Sequence, residues 1–413
     1  METHLASFIQ DTPEGREAEA ILRRCVHCGF CTATCPTYQL LGDELDGPRG
    51  RIYLIKQVLE GQPATATTQL HLDRCLTCRS CETTCPSGVQ YGRLVDIGRK
   101  VVDDQVGRPA GEALKRRAMS TVLSSPSLFS PALGLGRAVG GLLPATLRKK
   151  IPTASRAGAW PLARHPRRMV VLEGCVQPSL APDINAAAAR VLDRIGISLI
   201  RAEGAGCCGA VAFHLNHQDE GRAHMRRNVE AWLPLLDQGV EAVVMTASGC
   251  GSTVKEYGHH LAHDRTDASG ANRISAATKD LSEILAAERE NLVPLLERAA
   301  AGKPRRRLAY HPPCSLQHGQ QIRGHAEALL GAAGFDLTPV PDAHLCCGSA
   351  GTYSLLQPEL SQRLLANKVQ ALESGTPIGI ATANIGCQTH VQTGTDLPVR
   401  HWIQWVDEVL AGA

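Results

Sequence analysis

The sequence predicts a multidomain α+β protein in which a helical N-terminal domain is followed by two copies of a small α/β domain. Eight of the sixteen cysteines lie in the first hundred residues, in two runs of identical spacing between helical patterns. The other eight fall into two matching sets, each among alternating strand-like and helix-like segments. A chain of 413 residues is long enough for two to four domains of this kind.

Composition and charge narrow the classes of function. The chain has 43 basic and 40 acidic residues, and it lacks the one-sided basic face and interleaved aromatic residues of a nucleic-acid binder. Its first eleven residues have no basic or apolar stretch, so we expect no secretory signal and a cytoplasmic location. Spaced cysteines in such a protein bind metal more often than they form disulfides. No apolar stretch reaches the length of a membrane-spanning helix.

The two N-terminal cysteine runs share the pattern C-x2-C-x2-C-x3-C-P. The runs are Cys25, Cys28, Cys31, Cys35 with Pro36, and Cys75, Cys78, Cys81, Cys85 with Pro86. This pattern is typical of [4Fe–4S] ligation, and in two-cluster proteins the fourth cysteine binds the other cluster. We therefore expect one cluster at Cys25, Cys28, Cys31 and Cys85, and a second at Cys75, Cys78, Cys81 and Cys35. The alternative, two structural zinc sites, fits the spacing less well.

The segment between the two runs predicts a helix that begins near Arg49, after Gly47 and Pro48. A helical insert here, in place of a β-hairpin, favours an α-helical ferredoxin domain. Arg49 and Arg51 either hydrogen-bond to cluster sulfurs or attract an acidic partner, or they form a solvated first turn.

The C-terminal half is an internal duplication. Three pairs of cysteines are each 139 residues apart, and the fourth pair, Cys250 and Cys387, is 137 apart. The sets are Cys175, Cys207, Cys208, Cys250 and Cys314, Cys346, Cys347, Cys387. We expect two cysteine-rich (CCG) domains, at 166–300 and 301–413, after a ferredoxin domain at 1–110 and an apolar helical linker at 111–165.

Each copy alternates strands and helices, which predicts a small parallel sheet with its cysteines near the carboxyl ends of strands. The predicted strands are 168–173, 197–200 and 241–246 in the first copy, and 308–310 and 378–382 in the second. Predicted helices include 184–195, 325–330 and 358–372. Four thiols that converge at one sheet edge indicate a metal or redox site. A distorted cluster, a disulfide, an empty redox site and inert buried cysteines all stay open.

Gly204, Gly206 and Gly209 match the dinucleotide pattern G-x-G-x-x-G. The second copy has Ala343 and Leu345 at the first two positions and keeps only the glycine after the cysteine pair. We therefore expect no nucleotide site here. The sequence has no flavin motif, so electrons must arrive from another chain.

The linker contains an apolar segment, 128–147, between the basic groups 115–117 and 148–150. Apolar residues with basic flanks favour peripheral contact with an anionic membrane surface, here the cytoplasmic face of the inner membrane. The alternative is a linker helix whose apolar side packs between domains.

The paired cluster runs, the DGPRGRI segment and the two Cys-Cys-Gly repeats together resemble the iron–sulfur subunits of bacterial glycolate oxidases, over nearly the whole chain. The architecture is also similar to the anaerobic glycerol-3-phosphate dehydrogenase C subunit, lactate-utilisation proteins and heterodisulfide reductase subunits. An iron–sulfur subunit of a related lactate or glycerol-3-phosphate dehydrogenase, or a disulfide reductase, is therefore the alternative function. The resemblance implies FAD-containing partner subunits that oxidise glycolate to glyoxylate. It also implies an acceptor-dependent complex, in which this chain passes electrons toward a membrane quinone and is inactive alone.

One feature departs from the heterodisulfide reductase pattern, which ends each repeat in C-x-x-C. The fifth positions here are Thr253 and His390, which puts a five-thiolate cluster and a disulfide-reductase activity in doubt. His390 is either a nitrogen ligand or, as we expect, a surface histidine. A cluster-based redox sensor is a third class of function, and the near-neutral charge disfavours it.

Overall fold

The computed structural model describes residues 1–140 and 152–412, and the chain divides into two compact units. The first unit is Met1–Arg117 together with His344–Lys368, and the second is Ala118–Ala343 together with Val369–Ala413. The segment His344–Lys368, which contains Cys346 and Cys347, thus belongs with the N-terminal residues. The domain boundaries expected from the sequence stay a prediction.

The N-terminal region is helical, as predicted. Proline stands at the start of three of its helices, where its fixed backbone angle suits the first turn and its missing N–H is not needed. Leu22, Ile55 and Leu94 are fully buried at the centre of this unit. The helices are Pro13–Arg24, Pro36–Leu41, Pro48–Leu59, Ala66–Asp73, Ser80–Thr84 and Tyr91–Val106, with 3-10 turns at Phe30–Thr32 and Glu44–Asp46.

Gly50 allows the helix Pro48–Leu59 to lie directly against the turn Glu44–Asp46. A Cβ atom at Gly50 would lie 2.2 Å from the carbonyl oxygen of Glu44, so any larger residue would separate the two elements. This contact holds Asp46 inside the unit.

The second unit contains two four-stranded parallel sheets, one for each repeat. The first has the order β2-β1-β3-β4 and the second the order β6-β5-β7-β8. The strands are β1 Arg167–Val171, β2 Ile197–Arg201, β3 Val243–Met245, β4 Thr278–Asp280, β5 Arg306–His311, β6 Phe335–Thr338, β7 Ile380–Thr382 and β8 Val399–His401. The predicted parallel α/β repeats are therefore confirmed, but three strands were missing from the prediction: β4, β6 and β8.

The helices of the two repeats pack in reciprocal pairs. Helix Asp183–Arg194, which follows β1, packs against Trp402–Ala411, which follows β8; likewise His325–Ala332, after β5, packs against Leu281–Ala287, after β4. This reciprocal packing of equivalent helices indicates a pseudo-twofold axis between the two repeats.

The remaining helices from residue 110 onward are Ala110–Ser124, Pro126–Val139, Gln177–Leu180, Ala210–His214, Gln218–Asp237, Ser248–Lys255, Tyr257–His260, Ala268–Ala277, Arg289–Ala300, Tyr353–Leu356, Pro358–Glu373 and Ile385–Gln392, with a π-helical turn at Ser315–Gly319.

One hydrophobic core serves both repeats. It includes residues from both sheets and the fully buried Trp402, and an ion pair of 2.6 Å between Arg190 and Asp407 closes its edge. Over the part of the chain that is described, no helix combines the length and apolar character needed to cross a membrane.

Candidate functional site: two tetracysteine cavities and a cysteine-rich sheet edge

The first cavity of the N-terminal unit brings together cysteines from both runs. Its walls include Cys25, Cys28 and Cys31 from the first run and Cys85 from the second. The lining also includes apolar side chains, such as those of Ile52 and Val89, and the side chain of Arg49. Cys28 is exposed, while Cys25 is buried. The cavity therefore holds the four cysteines that the sequence assigns to one cluster, and its edge at Cys28 faces solvent.

The second cavity contains the complementary set. Cys75, Cys78 and Cys81 line it together with Cys35, the fourth cysteine of the first run. Cys81 also contributes to the wall of the first cavity, so the two cavities are neighbours. Three of these four cysteines are buried and Cys78 is half-buried.

Both cysteine loops wind around their cavities with the same backbone conformation. His27 and Gly29 have φ values of 55° and 84°, and Thr77 and Arg79, fifty positions later in the second run, have 50° and 59°. Left-handed residues at matching places turn successive backbone amides inward, as in anion-binding nests. The amide of Thr77 donates a 3.4 Å hydrogen bond to the sulfur of Cys75.

Burial keeps several of these thiols from ionising without a metal. Burial, with a contribution from Cys25, raises the pKa of Cys31 to about 11, and burial raises the pKa of Cys81 well above its usual value. Four sulfurs around one cavity are the donor set of a [4Fe–4S] cluster, whose iron stabilises the thiolate form. The residues present therefore fit the cofactor.

A buried charge network lies beside the second cavity, and the sequence offered no sign of its extent. Arg51 lines the cavity, is 1% exposed and lies 3.4 Å from the carboxylate of Asp46, which is fully buried. Asp46 also contacts His71 at 3.1 Å and Arg74 at 2.8 Å. Of the alternatives that the sequence left open, a solvated first turn is therefore wrong for Arg51. Arg49 does lie at the surface, paired with Glu44 at 2.6 Å.

The four cysteines of the first repeat lie in contact at the carboxyl edge of its sheet. Cys207 forms sulfur contacts with Cys175 and Cys208, and Cys208 contacts Cys250. Hydrogen bonds from Cys175 and Cys208 hold the pKa of Cys207 well below its usual value, whereas the hydrogen bond to Cys207 raises the pKa of Cys175. This edge brings together the four thiols that the sequence predicts to converge.

Side-chain hydrogen bonds hold the backbone of the Cys207-Cys208 pair in place. Asn228 donates to the carbonyl oxygen of Cys207 at 2.9 Å, and Tyr257 donates to that of Cys208 at 2.8 Å. Gly209 follows with φ 90°, and a Cβ atom there would lie 2.5 Å from the carbonyl oxygen of Gly221. Two of the three glycines in the apparent dinucleotide pattern, Gly206 and Gly209, therefore allow close packing; a Cβ atom on Gly206 would lie 2.8 Å from the guanidinium of Arg227.

The cysteines of the second repeat are divided between the two units. Cys346 and Cys347 are buried in the first unit, and Cys314 and Cys387 belong to the second. Gly348 has the same φ of 90° as Gly209, and its amide donates to the sulfur of Cys346 at 3.4 Å. His390 is 9% exposed, so the expected surface position of this histidine is wrong.

Hydrogen bonds fix the segment that carries Cys346 and Cys347 to the N-terminal helices. Tyr353 donates to the carbonyl oxygen of Arg74 at 3.2 Å, one residue before Cys75. Lys115 donates to Leu355 at 3.0 Å and Arg363 to Leu40 at 3.0 Å. The second Cys-Cys-Gly loop therefore belongs to the same compact body as the two tetracysteine cavities.

Comparison with known families agrees with this geometry. Residues 21–89 match the model of a 4Fe-4S dicluster domain, and residues 169–255 and 308–392 each match a cysteine-rich domain. The chain therefore carries two [4Fe–4S] clusters in its N-terminal region.

Comparison with single proteins extends the likeness to the full chain. The sequence is 53% identical to the glycolate oxidase iron-sulfur subunit of Escherichia coli (strain K12), over 99% of both chains. It is 28% identical to a probable glycolate oxidase iron-sulfur subunit of Bacillus subtilis (strain 168), over 94% of this chain and 92% of the relative. Lactate utilization protein A of Bacillus licheniformis is 26% identical over 52% of this chain and 87% of its own length. The chain therefore belongs to the family of glycolate oxidase iron–sulfur subunits.

Proposed function

We propose that this chain is the electron-transfer subunit of a glycolate oxidase complex and passes electrons from a FAD-containing subunit toward a membrane quinone. The observation that carries the proposal is the pair of adjacent tetracysteine cavities, in a chain 53% identical over 99% of its length to a glycolate oxidase iron-sulfur subunit. Oxidation of glycolate to glyoxylate releases two electrons and two protons. A [4Fe–4S] cluster carries one electron at a time, so the chain would pass on the two electrons from glycolate singly.

Within this proposal, Cys25, Cys28, Cys31 and Cys85 hold one cluster, and Cys75, Cys78, Cys81 and Cys35 hold the other. The support is that each set lines one cavity. Cys28 is the exposed member, so electrons would enter at the first cavity. The protein around the second cavity excludes water, since Arg51, Asp46 and Tyr91 are buried there.

We further propose that the cysteines of the two repeats form additional redox sites. In the first repeat the support is the continuous line of sulfur contacts from Cys175 to Cys250. In the second it is the attachment of the Cys346-Cys347 loop to the N-terminal helices through Tyr353. Four cysteines per repeat, instead of five, favour electron transfer over a heterodisulfide-reductase activity.

The complex is proposed to work at the cytoplasmic face of the inner membrane, where its quinone acceptor lies. The feature that supports membrane contact is helix Pro126–Val139, which has no buried residue. Leu135 is 67% exposed and Leu128 is 46% exposed. The rest of the predicted apolar segment, from residue 141 on, and its basic flank 148–150 lie outside the described residues.

The test compares the chain alone with the assembled complex. Purified chain, reconstituted with iron and sulfide, should contain two [4Fe–4S] clusters by metal analysis and low-temperature EPR. It should show no turnover with glycolate and an artificial acceptor until the flavin-bearing subunits are added, because the sequence contains no flavin or nicotinamide motif. Turnover by this chain alone, or a chain without clusters, would contradict the proposal.

A further inference from the structure

The two tetracysteine cavities differ in the charge that surrounds them. The guanidinium of Arg51 lies at the wall of the second cavity, with an exposed fraction of 1%. It donates from Nε to the carbonyl oxygen of His71 at 2.7 Å and from Nη1 to the hydroxyl of Thr37 at 3.1 Å. These bonds, with the contact to Asp46, leave the group a single orientation.

Arg51 is close to two of the cysteines assigned to this cavity. Burial alone would lower the pKa of Arg51, but the charges of Cys75 and Cys35 raise it above its usual value. The hydroxyl of Thr37, which accepts from Arg51, lies 3.4 Å from the sulfur of Cys35. The cation is thus fixed next to the ligand sulfurs in a dry environment, where electrostatic interactions are stronger than in water.

Asp46 determines how much of this positive charge acts on the cavity. Its carboxylate is fully buried and binds Arg51, Arg74 and the imidazole of His71. A second buried arginine, Arg99, donates to the carbonyl oxygen of Cys75 at 2.6 Å. The carboxylate of Asp46 therefore binds two of these arginines, Arg51 and Arg74, while Arg99 places a third guanidinium against the backbone of the ligand Cys75.

The first cavity has a different arrangement. Its lining arginine, Arg49, is 38% exposed at the side chain and paired with Glu44 at 2.6 Å. Solvent screens such a pair, so its effect on the cavity is small. Arg49 therefore offers a control for Arg51 within the same helix.

A [4Fe–4S] cluster gains one negative charge when it is reduced, and fixed charges nearby change its reduction potential. We propose that Arg51 and Asp46 set the reduction potential of the cluster at Cys35, Cys75, Cys78 and Cys81, with Arg51 raising the potential and Asp46 lowering it. This inference rests on the cluster assignment proposed above. Arg51 is a positioning residue for charge and is not itself a ligand.

The experiment is an EPR-monitored redox titration of the full-length, reconstituted chain. Arg51→Met removes the cation at similar volume and should lower the midpoint potential of the second cluster. A tenfold fall in its reduced-to-oxidised ratio at fixed potential corresponds to a shift of about 59 mV for one electron. Asp46→Asn keeps the shape of the side chain and should shift the same midpoint upward. Arg49→Met, the matched control, should leave it in place.

Opposite shifts confined to one cluster would support the inference, because a loss of structural integrity would not change sign between Arg51→Met and Asp46→Asn. Shifts of the same sign, or two intact signals with unmoved midpoints, would overturn it and leave the proposed function standing. If the Arg51→Met variant fails to assemble its second cluster, the Asp46→Asn variant alone tests the inference: an upward shift of the midpoint supports it, and a downward shift or none contradicts it. A wild-type chain with fewer than two clusters would overturn the proposed function itself, and this inference with it.

Discussion

Asp280 and His401 occupy equivalent positions in the two repeats, since each ends the fourth strand of its sheet and caps the helix that follows. Asp280 pairs with Met245 in the first sheet, and His401 pairs with Thr382 in the second. Each side chain accepts a hydrogen bond from the second residue of its helix, and each forms a capping box, with Glu283 and Gln404 respectively. One repeat thus uses an acid, and the other a base, for the same structural role.

Burial favours the uncharged form of both caps. Asp280 is 2% exposed and burial raises its pKa to about 6, while His401 is 1% exposed and burial lowers its pKa to about 3. The imidazole Nε2 of His401 donates to the carbonyl oxygen of Thr246 at 2.8 Å, and its Nδ1 accepts from Ile403. Because the two shifts have opposite signs, the two caps make opposite contributions to the pH dependence of stability.

The first prediction concerns His401. Its pKa is about 3 in the folded protein and about 6.5 in an unfolded chain, so its contribution to stability is complete above pH 6.5 and is lost as the pH falls toward 3. Relative to His401→Asn, which caps but does not titrate, the wild type should lose about 2 kcal/mol between pH 7.5 and 5. Guanidinium unfolding followed by tryptophan fluorescence measures this, with Trp402 next to the cap. A difference that does not change with pH would contradict it.

For Asp280 we predict the opposite pH dependence of stability. Asp280 has a raised pKa of about 6, so its contribution to stability is complete below the unfolded value of about 3.9 and is lost as the pH rises through 6. Relative to Asp280→Asn, the wild type should lose about 2 kcal/mol between pH 4.5 and 7. The same unfolding assay applies. If stability changed with pH in the same direction for Asp280 and His401, burial would not be favouring the uncharged form of both caps.

The third prediction tests why glycine follows the cysteine pair. Gly209→Ala places a side chain at φ 90° and 2.5 Å from the carbonyl oxygen of Gly221, so we expect a loss of at least about 2 kcal/mol in the free energy of unfolding. Gly204→Ala is the control, because Gly204 has φ 84° but its Cβ would lie 3.9 Å from Ala231. The control should cost only about 1 kcal/mol. Equal losses would mean that the backbone contact is unimportant.

The fourth prediction addresses the pairing of cysteines between runs. Cys35→Ser should damage the cluster otherwise held by Cys75, Cys78 and Cys81 and leave the other intact, because Cys35 lines their cavity. Cys85→Ser should damage the cluster otherwise held by Cys25, Cys28 and Cys31 and leave the second cluster intact. Low-temperature EPR and iron analysis of both variants give the answer. Loss of the Cys25 cluster in Cys35→Ser, with the other signal retained, would show that each run binds its own cluster.

The spacing of the cysteines was the most informative feature of the sequence. The x3 gap before Cys35 and Cys85 led to the same two cysteine sets that line the two cavities, and the 139-residue offset led to two parallel sheets. It missed β4, β6 and β8, because strands of three or four residues, such as Thr278–Asp280, are too short to show a detectable period. It also missed the burial of Arg51, since the partners of that side chain, Asp46 and His71, are fixed only by tertiary packing.

Basic residues cluster at 164–168 and at 303–307, around the start of the first strand of each repeat, and several of them form ion pairs. Arg164 pairs with Asp193 at 2.6 Å, and Arg167 pairs with Glu241 and Glu288 at 2.8 Å each. In the second repeat Arg306 pairs with Glu408 at 2.9 Å. These arginines neutralise carboxylates of their own unit, so membrane attraction would depend mainly on the linker.

The last prediction therefore places membrane contact at helix Pro126–Val139 and the basic residues that follow. Leu135 is 67% exposed on an apolar helix without buried residues, and Arg148, Lys149 and Lys150 each add roughly 1 kcal/mol of attraction near an anionic surface. Wild-type chain should co-sediment with anionic liposomes, and less so at high salt. Leu135→Glu, and a variant with the three basic residues changed to Gln, should each sediment less. Leu162→Glu is the matched control, because Leu162 is 86% exposed outside the helix and should not matter. If every variant sediments like the wild type, or the wild type does not sediment at all, the linker is structural and membrane contact belongs to a partner subunit.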